Sequence, residues 1–232
     1  MAGLTTGKFD GLEPEEESLA RARRSWEQSM ERRLAGLRAD LSSTDPFQVA
    51  ERSGASLENG RLVLRYWDRQ IALCWPALEA VWLPSEARCD HFNQAMVLFY
   101  LLHADGTPVQ DRWIGFREVP SGGFYHRAFQ TYSGDLLGRA FGDSLPAFER
   151  YAMQLAGRRR PELAEYAFAF QVLPRVNLAA VLWPGDEDFA PRGAVLFEAS
   201  SQHYLPTDGL ALLGGGLASR LVKLLVEKTG AS

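Results

Sequence analysis

The stretch FREVPSGGFYHRAF, Phe116–Phe129, sets an Arg, a Glu, a Ser, a Tyr and a His around two consecutive glycines. That set has the chemistry to hold an anion. Gly122 and Gly123 permit positive φ and close backbone approach, which leaves N–H groups free for a carboxylate or a phosphate. Arg117 is a bidentate clamp for either group, and Glu118, Ser121, Tyr125 and His126 can orient it. A helix opening at Phe124 would aim its N-terminus at the same place. His203 and Tyr204, in SQHYLPTD, are the expected opposite wall. A plainer reading stands beside this one: the glycines turn the chain, Arg117 pairs with Glu118 or another carboxylate, and the aromatics are core. PSGG has neither the P-loop nor the dinucleotide-binding spacing.

Other stretches offer less. PGDEDF places Asp186, Glu187 and Asp188 in a row, hard oxygen ligands for Ca²⁺ or Mg²⁺ without EF-hand spacing, and equally a solvated hairpin tip. With His203 brought close, Asp186 and Glu187 would make a metal site for a metal-assisted enzyme. The histidines, His91, His103, His126 and His203, show no HExxH or His-x-His pair. Cys89, Asp90 and His91 are adjacent, but on a helix residues i and i+2 diverge, and His103 reads as a buried, hydrogen-bonded residue. No GxSxG is present. Gly214-Gly215-Gly216 lacks the Lys-Ser/Thr ending of a phosphate loop and does not follow a strand. It reads as a helix weakened or broken by roughly 1 kcal/mol per glycine.

The bulk composition limits the classes. The chain has 232 residues, 46% hydrophobic and 23% charged, which predicts a globular core rather than a disordered chain. Its net charge of −4 argues against a nucleic-acid partner, whose binders carry a clustered basic excess. The basic runs, Arg21–Arg33 and Arg158-Arg159-Arg160, read as a solvated face and a helix C-terminus. Two cysteines, Cys74 and Cys89, are too few for a disulfide scaffold and form no CxxC pair. No secretory signal opens the chain, and no run reaches about 18 uninterrupted apolar residues. A cytoplasmic protein without a membrane partner is expected.

The elements that must position these residues are legible in outline. Pro14 and Glu15–Glu17 open an amphipathic helix over 14–41, with Leu19, Trp26, Met30, Leu34, Leu37 and Leu41 as its stripe. The stripe packs on the domain or on a second copy of the chain. Thr44 is placed to cap a short helix that Gly54 ends. RLVLRYW and QIALCW, linked by Asp68-Arg69, read as a hairpin, and EAVWLP as a third strand. Ser85–His103, apolar nearly all round, reads as a buried central helix. DRWIGF is extended. Helical segments follow at 124–141 and 144–157, the second with Pro146 in its first turn and Ser144 as a cap. EYAFAFQVL, VNLAAVLW and GAVLFEAS read as a three-strand antiparallel meander, and Thr207 caps a C-terminal helix to about Lys228. The expected class is α+β: a mostly antiparallel sheet packed with a buried central helix and a C-terminal helix. Residues 1–43 form an N-terminal extension and 44–232 a single domain.

Taken together, RWIGFREVPSGGFYHRAF, FQVLPRVNLAAVLWPGDEDFAP, VLFEASSQHYLPTD and the helix after them resemble a family of prokaryotic proteins known as a domain of unknown function. That family is common in anaerobic bacteria and archaea. The resemblance spans about residues 45–228. It rests on a Trp-x-x-Phe-Arg-Glu-x-Pro segment (Trp113, Phe116, Arg117, Glu118, Pro120) and on a Tyr-Leu-Pro-Thr segment (Tyr204, Leu205, Pro206, Thr207). The resemblance implies no activity or cofactor. Some of the family's members carry a Cys-rich iron–sulfur segment that this chain lacks.

The residues thus favour a binding module for a small anionic molecule or cofactor, ahead of an interaction protein that dimerises through the 14–41 helix, and ahead of a metal-assisted enzyme.

Overall fold

The computed structural model describes residues 30–229, of which residues 30–42 are helical, α1. Leu34, Leu37 and Leu41 of its stripe are buried in the common core, and Arg38 donates to Gln94 Oε1 at 2.5 Å. The part of the expected stripe holding Leu19 and Trp26 lies outside the described residues. Helix α2 (Pro46–Ser53) is capped by Asp45, whose carboxylate accepts from the Phe47 N–H at 3.0 Å. Thr44, the expected cap, instead donates its hydroxyl back to Leu41 O at 2.7 Å and closes α1. Gly54, at φ 72°, ends α2 as its lack of a Cβ allows.

The expected hairpin is part of a larger sheet. Strands β1 (Ser56–Glu58), β2 (Arg61–Tyr66), β3 (Arg69–Cys74), β4 (Ala80–Leu83) and β5 (Ala87–Arg88) pair in sequence order, all antiparallel. The β2–β3 turn is Trp67-Asp68, one residue earlier than expected, with Trp67 at φ 59°. Along β2, Leu62, Leu64 and Tyr66 are buried while Arg65 faces out, the period of two that a half-buried strand requires.

Helix α3 (His91–His103) starts later than the expected Ser85, because Ala87–Arg88 pair with β4 and the Asp90 carboxylate caps the helix from Asn93 N (2.9 Å). It is a core helix as expected, burying Met96, Val97, Leu98, Tyr100 and Leu101. His103 is exposed rather than buried, on the helix's last turn beside Phe99 O.

The second sheet orders β6 (Trp113–Gly115), β10 (Arg192–Glu198), β9 (Val176–Trp183), β8 (Tyr166–Leu173) and β7 (Arg158–Arg159), again antiparallel throughout. The meander is therefore the middle of a five-stranded sheet. Between β6 and β7 come α4 (Gly122–Tyr132), α5 (Gly134–Phe141) and α6 (Leu145–Gln154). The expected single helix over 124–141 is broken at Ser133. There the chain runs onto β10 so closely that a Cβ on Gly134 would lie 2.3 Å from Gly193 O. The Ser144 side chain makes no capping bond to α6.

Helix α7 (Thr207–Thr229) passes unbroken through the triple glycine, contrary to expectation. A Cβ on Gly214 would sit 2.7 Å from the Phe129 ring and 3.0 Å from that of Phe197, and one on Gly215 would sit 2.8 Å from Tyr132. Aromatic rings lie directly on this part of the helix, and their packing outweighs the local propensity cost. By length and composition α7 could cross a membrane between Thr207 and Glu227. Its Leu210, Leu213, Leu217 and Leu221 are buried in the same core as both sheets.

The pleat divides the second sheet into two faces. Phe168, Phe170, Leu178, Ala180, Leu182, Val195 and Phe197 share one face by register. That face takes the helices: Phe148 of α6 meets Phe168 edge-on at 5.7 Å, and Phe129 of α4 lies 5.7 Å from Phe197. The other face carries Ala167, Ala169, Gln171, Asn177, Ala179, Ala194 and Glu198, with Trp113 opposite Glu198 and Arg158 opposite Ala169.

Candidate functional site

The double-glycine loop and the SQHYLPTD turn do meet: the Thr207 hydroxyl donates to Pro120 O at 2.5 Å. Most of the expected site side chains there are exposed or already occupied. Arg117, Ser121, Gly123 and Tyr125 are exposed, as is Phe124 at 90%. Glu118 Oε1 accepts from the Gly115 N–H at 2.8 Å and closes the 3₁₀ turn Phe116–Glu118. Gly122, and not Phe124, opens α4. A Cβ there would lie 1.9 Å from Phe116 O, so this glycine serves packing. His126 is half-buried, and its Nδ1 has no hydrogen-bond partner. His203 Nδ1 lies 2.7 Å from Asp105 Oδ2. Tyr204 is fully buried, stacked on Tyr100 at 5.6 Å, and its phenol donates to Thr107 O.

Asp186 and Glu187 lie elsewhere, on the β9–β10 loop. Asp186 Oδ1 accepts from Asp188 N (2.9 Å) and Phe189 N (2.7 Å), which folds the loop on itself. A shallow acidic hollow beside it is lined by Asp143, Asp186, Glu187 and Asp188. Among the described residues no group of three His, Cys, Asp or Glu side chains is placed to hold a metal ion. The expected set of Asp186, Glu187 and His203 is therefore not assembled, because the β9–β10 loop and the turn before α7 belong to different parts of the fold.

What the fold does assemble is a polar cavity of about 490 Å³ against the second face of the second sheet. Three arginines, Arg65, Arg158 and Arg160, contribute to its wall, with Asp111, Trp113, Gln171, Asn177 and Glu198. Each is placed by a traceable local cause. Arg65 faces outward on β2, and the Trp67 N–H donates to Val172 O at 2.8 Å, which brings the end of β2 beside β8. Arg158 follows a tight turn. There Ala156 holds φ 58°, and Gly157 sits so close to Phe170 that a Cβ would lie 2.7 Å from its ring. The chain then enters β7 with Arg158 paired to Ala169. Trp113 and Glu198 are register partners across β6 and β10.

The arginines differ in how far they are committed. Arg160 is paired with Asp111 and Glu162 and lies 5.4 Å from the centre of the Trp113 ring. That pairing holds the Asp111 carboxyl below the usual carboxylate range, with a lesser contribution from the nearby Trp113 N–H. The Trp113 N–H is itself buried and meets no acceptor in hydrogen-bond geometry. Arg159 turns away to Glu149 at 3.1 Å. Arg65 uses only Nε, on Trp67 O at 2.7 Å. The Arg158 side chain, exposed to solvent, makes no hydrogen bond or ion pair among the described residues. Glu198, fully buried, accepts from Gln110 N and Ser200 N, both at 2.9 Å, and from the Ser200 hydroxyl. One cation in the wall is thus wholly uncommitted and a second nearly so, while both carboxylates have partners.

Sequence reading passed over these residues, and it assigned Arg158–Arg160 to a helix C-terminus. In fact α6 ends at Gln154 and the triplet enters a strand. One signal was available in YAFAFQV, where Ala167, Ala169 and Gln171 alternate with Phe168, Phe170 and Val172. A strand whose second face is that small and polar is leaving room. The approach of Arg65 from the other sheet has no sequence signal.

No curated protein and no solved structure matches the chain. A family described as a domain of unknown function (DUF3786) matches residues 45–220, which takes in both sheets, every residue of the cavity wall and most of α7, and the chain belongs to that family.

Proposed function

We propose that the protein is a binding module for a small anionic molecule, and that the molecule sits in the cavity between Arg65 and Arg158. The observation that carries this reading is Arg158, a guanidinium without a partner among the described residues, in the wall of a cavity large enough for a metabolite. Guanidinium groups recognise carboxylate and phosphate through paired N–H donors. The buried Trp113 N–H, close to Asp111 but out of hydrogen-bond geometry with it, adds a further donor.

Calorimetric titration with inorganic phosphate tests the reading. Arg158→Ala should weaken phosphate by roughly tenfold or more, the value of a charge-assisted hydrogen bond, while leaving the unliganded melting temperature unchanged. Arg117→Ala should leave the affinity as it is. Phosphate binding that survives Arg158→Ala but is lost in Arg117→Ala would return the site to the double-glycine loop.

A further inference from the structure

We infer that the anion this cavity takes also carries several hydroxyl groups, in the manner of a sugar phosphate or a sugar acid; this rests on the anion-site reading above. An anion recognised only by its charge needs a wall of donors. This wall also presents acceptors. The Asn177 carboxamide makes no hydrogen bond among the described residues. Gln171 uses only its Nε2, on Pro174 O at 3.0 Å, which leaves Oε1 unused. Glu198 Oε1 takes a single donor, Gln110 N, and retains a lone pair. A bare phosphate or carboxylate could take the Asn177 NH₂ but would set its own lone pairs against Gln171 Oε1 and Glu198 Oε1. A ligand with O–H groups satisfies them.

The charge balance selects hydroxyl over ammonium. Three arginines face two carboxylates in the wall. Asp111 is bound to Arg160, and Glu198 already holds three donors. An ammonium would lie among three guanidinium groups, and the one carboxylate without a cationic partner, Glu198, already accepts three hydrogen bonds, whereas a neutral hydroxyl both donates to Asn177 or Glu198 and accepts from Arg65 or the Trp113 N–H. Trp113 supplies a flat, half-exposed wall of the kind on which a sugar's C–H face rests. The alanines Ala156 and Ala169 keep that space open.

Five probes in calorimetric titration separate the outcomes: inorganic phosphate, glucose 6-phosphate, gluconate, glucose and glutamate. Glucose 6-phosphate or gluconate should bind at least tenfold tighter than inorganic phosphate, and whichever is tighter identifies the anionic group. Glucose and glutamate should bind weakest. Asn177→Ala should lower the ratio of polyol to inorganic-phosphate affinity by about fivefold; Gln171→Ala, at an exposed position, gives the same readout if the first variant folds poorly. If inorganic phosphate binds in an Arg158-dependent way but neither polyol binds tighter, or if glutamate exceeds both, the hydroxyl inference is overturned and the anion site stands. If no anion binds, or Arg158→Ala changes nothing, the anion-site reading itself fails.

Discussion

The two faces of the second sheet are made by the same strands and differ in almost every physical respect. Toward the helices, β8, β9 and β10 present Phe168, Phe170, Leu178, Leu182 and Phe197, all buried, with Phe116, Phe129 and Phe197 forming a ring cluster whose closest centroids are 4.2 Å apart. Toward the cavity most of the next residues along these strands are small or polar, Ala167, Ala169, Gln171, Asn177, Ala179 and Ala194, with Val181 and Leu196 the larger apolar ones. The first face is closed by shape, with glycines on α4, α5 and α7 letting backbone and rings approach to contact. The second is left open by the same pleat and is bordered by arginines from β2 and β7. A side-chain period of two therefore supplies stability from one face and, on the other, room for the proposed anion, without either compromising the other's residues.

If that division is right, substitutions on the two faces should fail in different currencies. The largest effect belongs to the closed face. Phe197→Ala removes a fully buried ring and should cost about 3–5 kcal/mol in denaturant unfolding, whereas Leu196→Ala, its half-buried neighbour on the open face, should cost no more than about 1 kcal/mol. Near-equal costs would break the comparison. Next comes the glycine stripe of α7. Gly214→Ala forces a Cβ against Phe129 and Phe197 and should destabilise by about 1–3 kcal/mol, despite the gain in helix propensity. Gly216→Ala meets Trp67 only at 3.5 Å and should be neutral or stabilising by up to about 1 kcal/mol. Thermal melts of both variants decide it.

The smallest effect is on the open face and is read in affinity. Asp111→Asn releases Arg160 from one of its two carboxylates and should tighten anion binding about two- to fivefold. The pH dependence follows in sign. Asp111's pKa is depressed in the folded protein, so its contribution to stability is present above the unfolded value, near 3.9, and is lost as pH falls through the lower folded value. Sulfate affinity, measured because its charge is constant, should therefore be flat between about pH 5 and 7. A fall in affinity as pH rises across that window would show that Asp111 titrates there and that Arg160 is less tightly held.

The local elements are strongly legible along the chain. β2, β3, β8, β9 and β10 follow from runs of β-formers, α3 from an apolar run with a cap, and α7 from its leucine spacing. Errors fall where packing overrides a local rule: the break at Ser133, the unbroken helix at Gly214–Gly216, and the later start of α3. Each is set by a neighbour distant in sequence, Gly193 O for the first, Phe197 and Phe129 for the second, the β4 pairing for the third.

The candidate site divides in the same way. The chain's own letters determine an α+β protein with an antiparallel hairpin and a three-strand meander, a glycine-containing joint at Gly122, and alternating residues on β8, because these depend on propensity and period; the division into two five-stranded sheets is not among them. Only the tertiary structure decides that the Arg158 turn faces Arg65, that Trp113 stands opposite Glu198, and that Asp186 and His203 do not meet. The first depends on how the two sheets are set against each other, with the Trp67 backbone hydrogen bond and a shared core between them, and the second on long-range pairing within one sheet; no local pattern encodes a contact between residues so far apart in the chain.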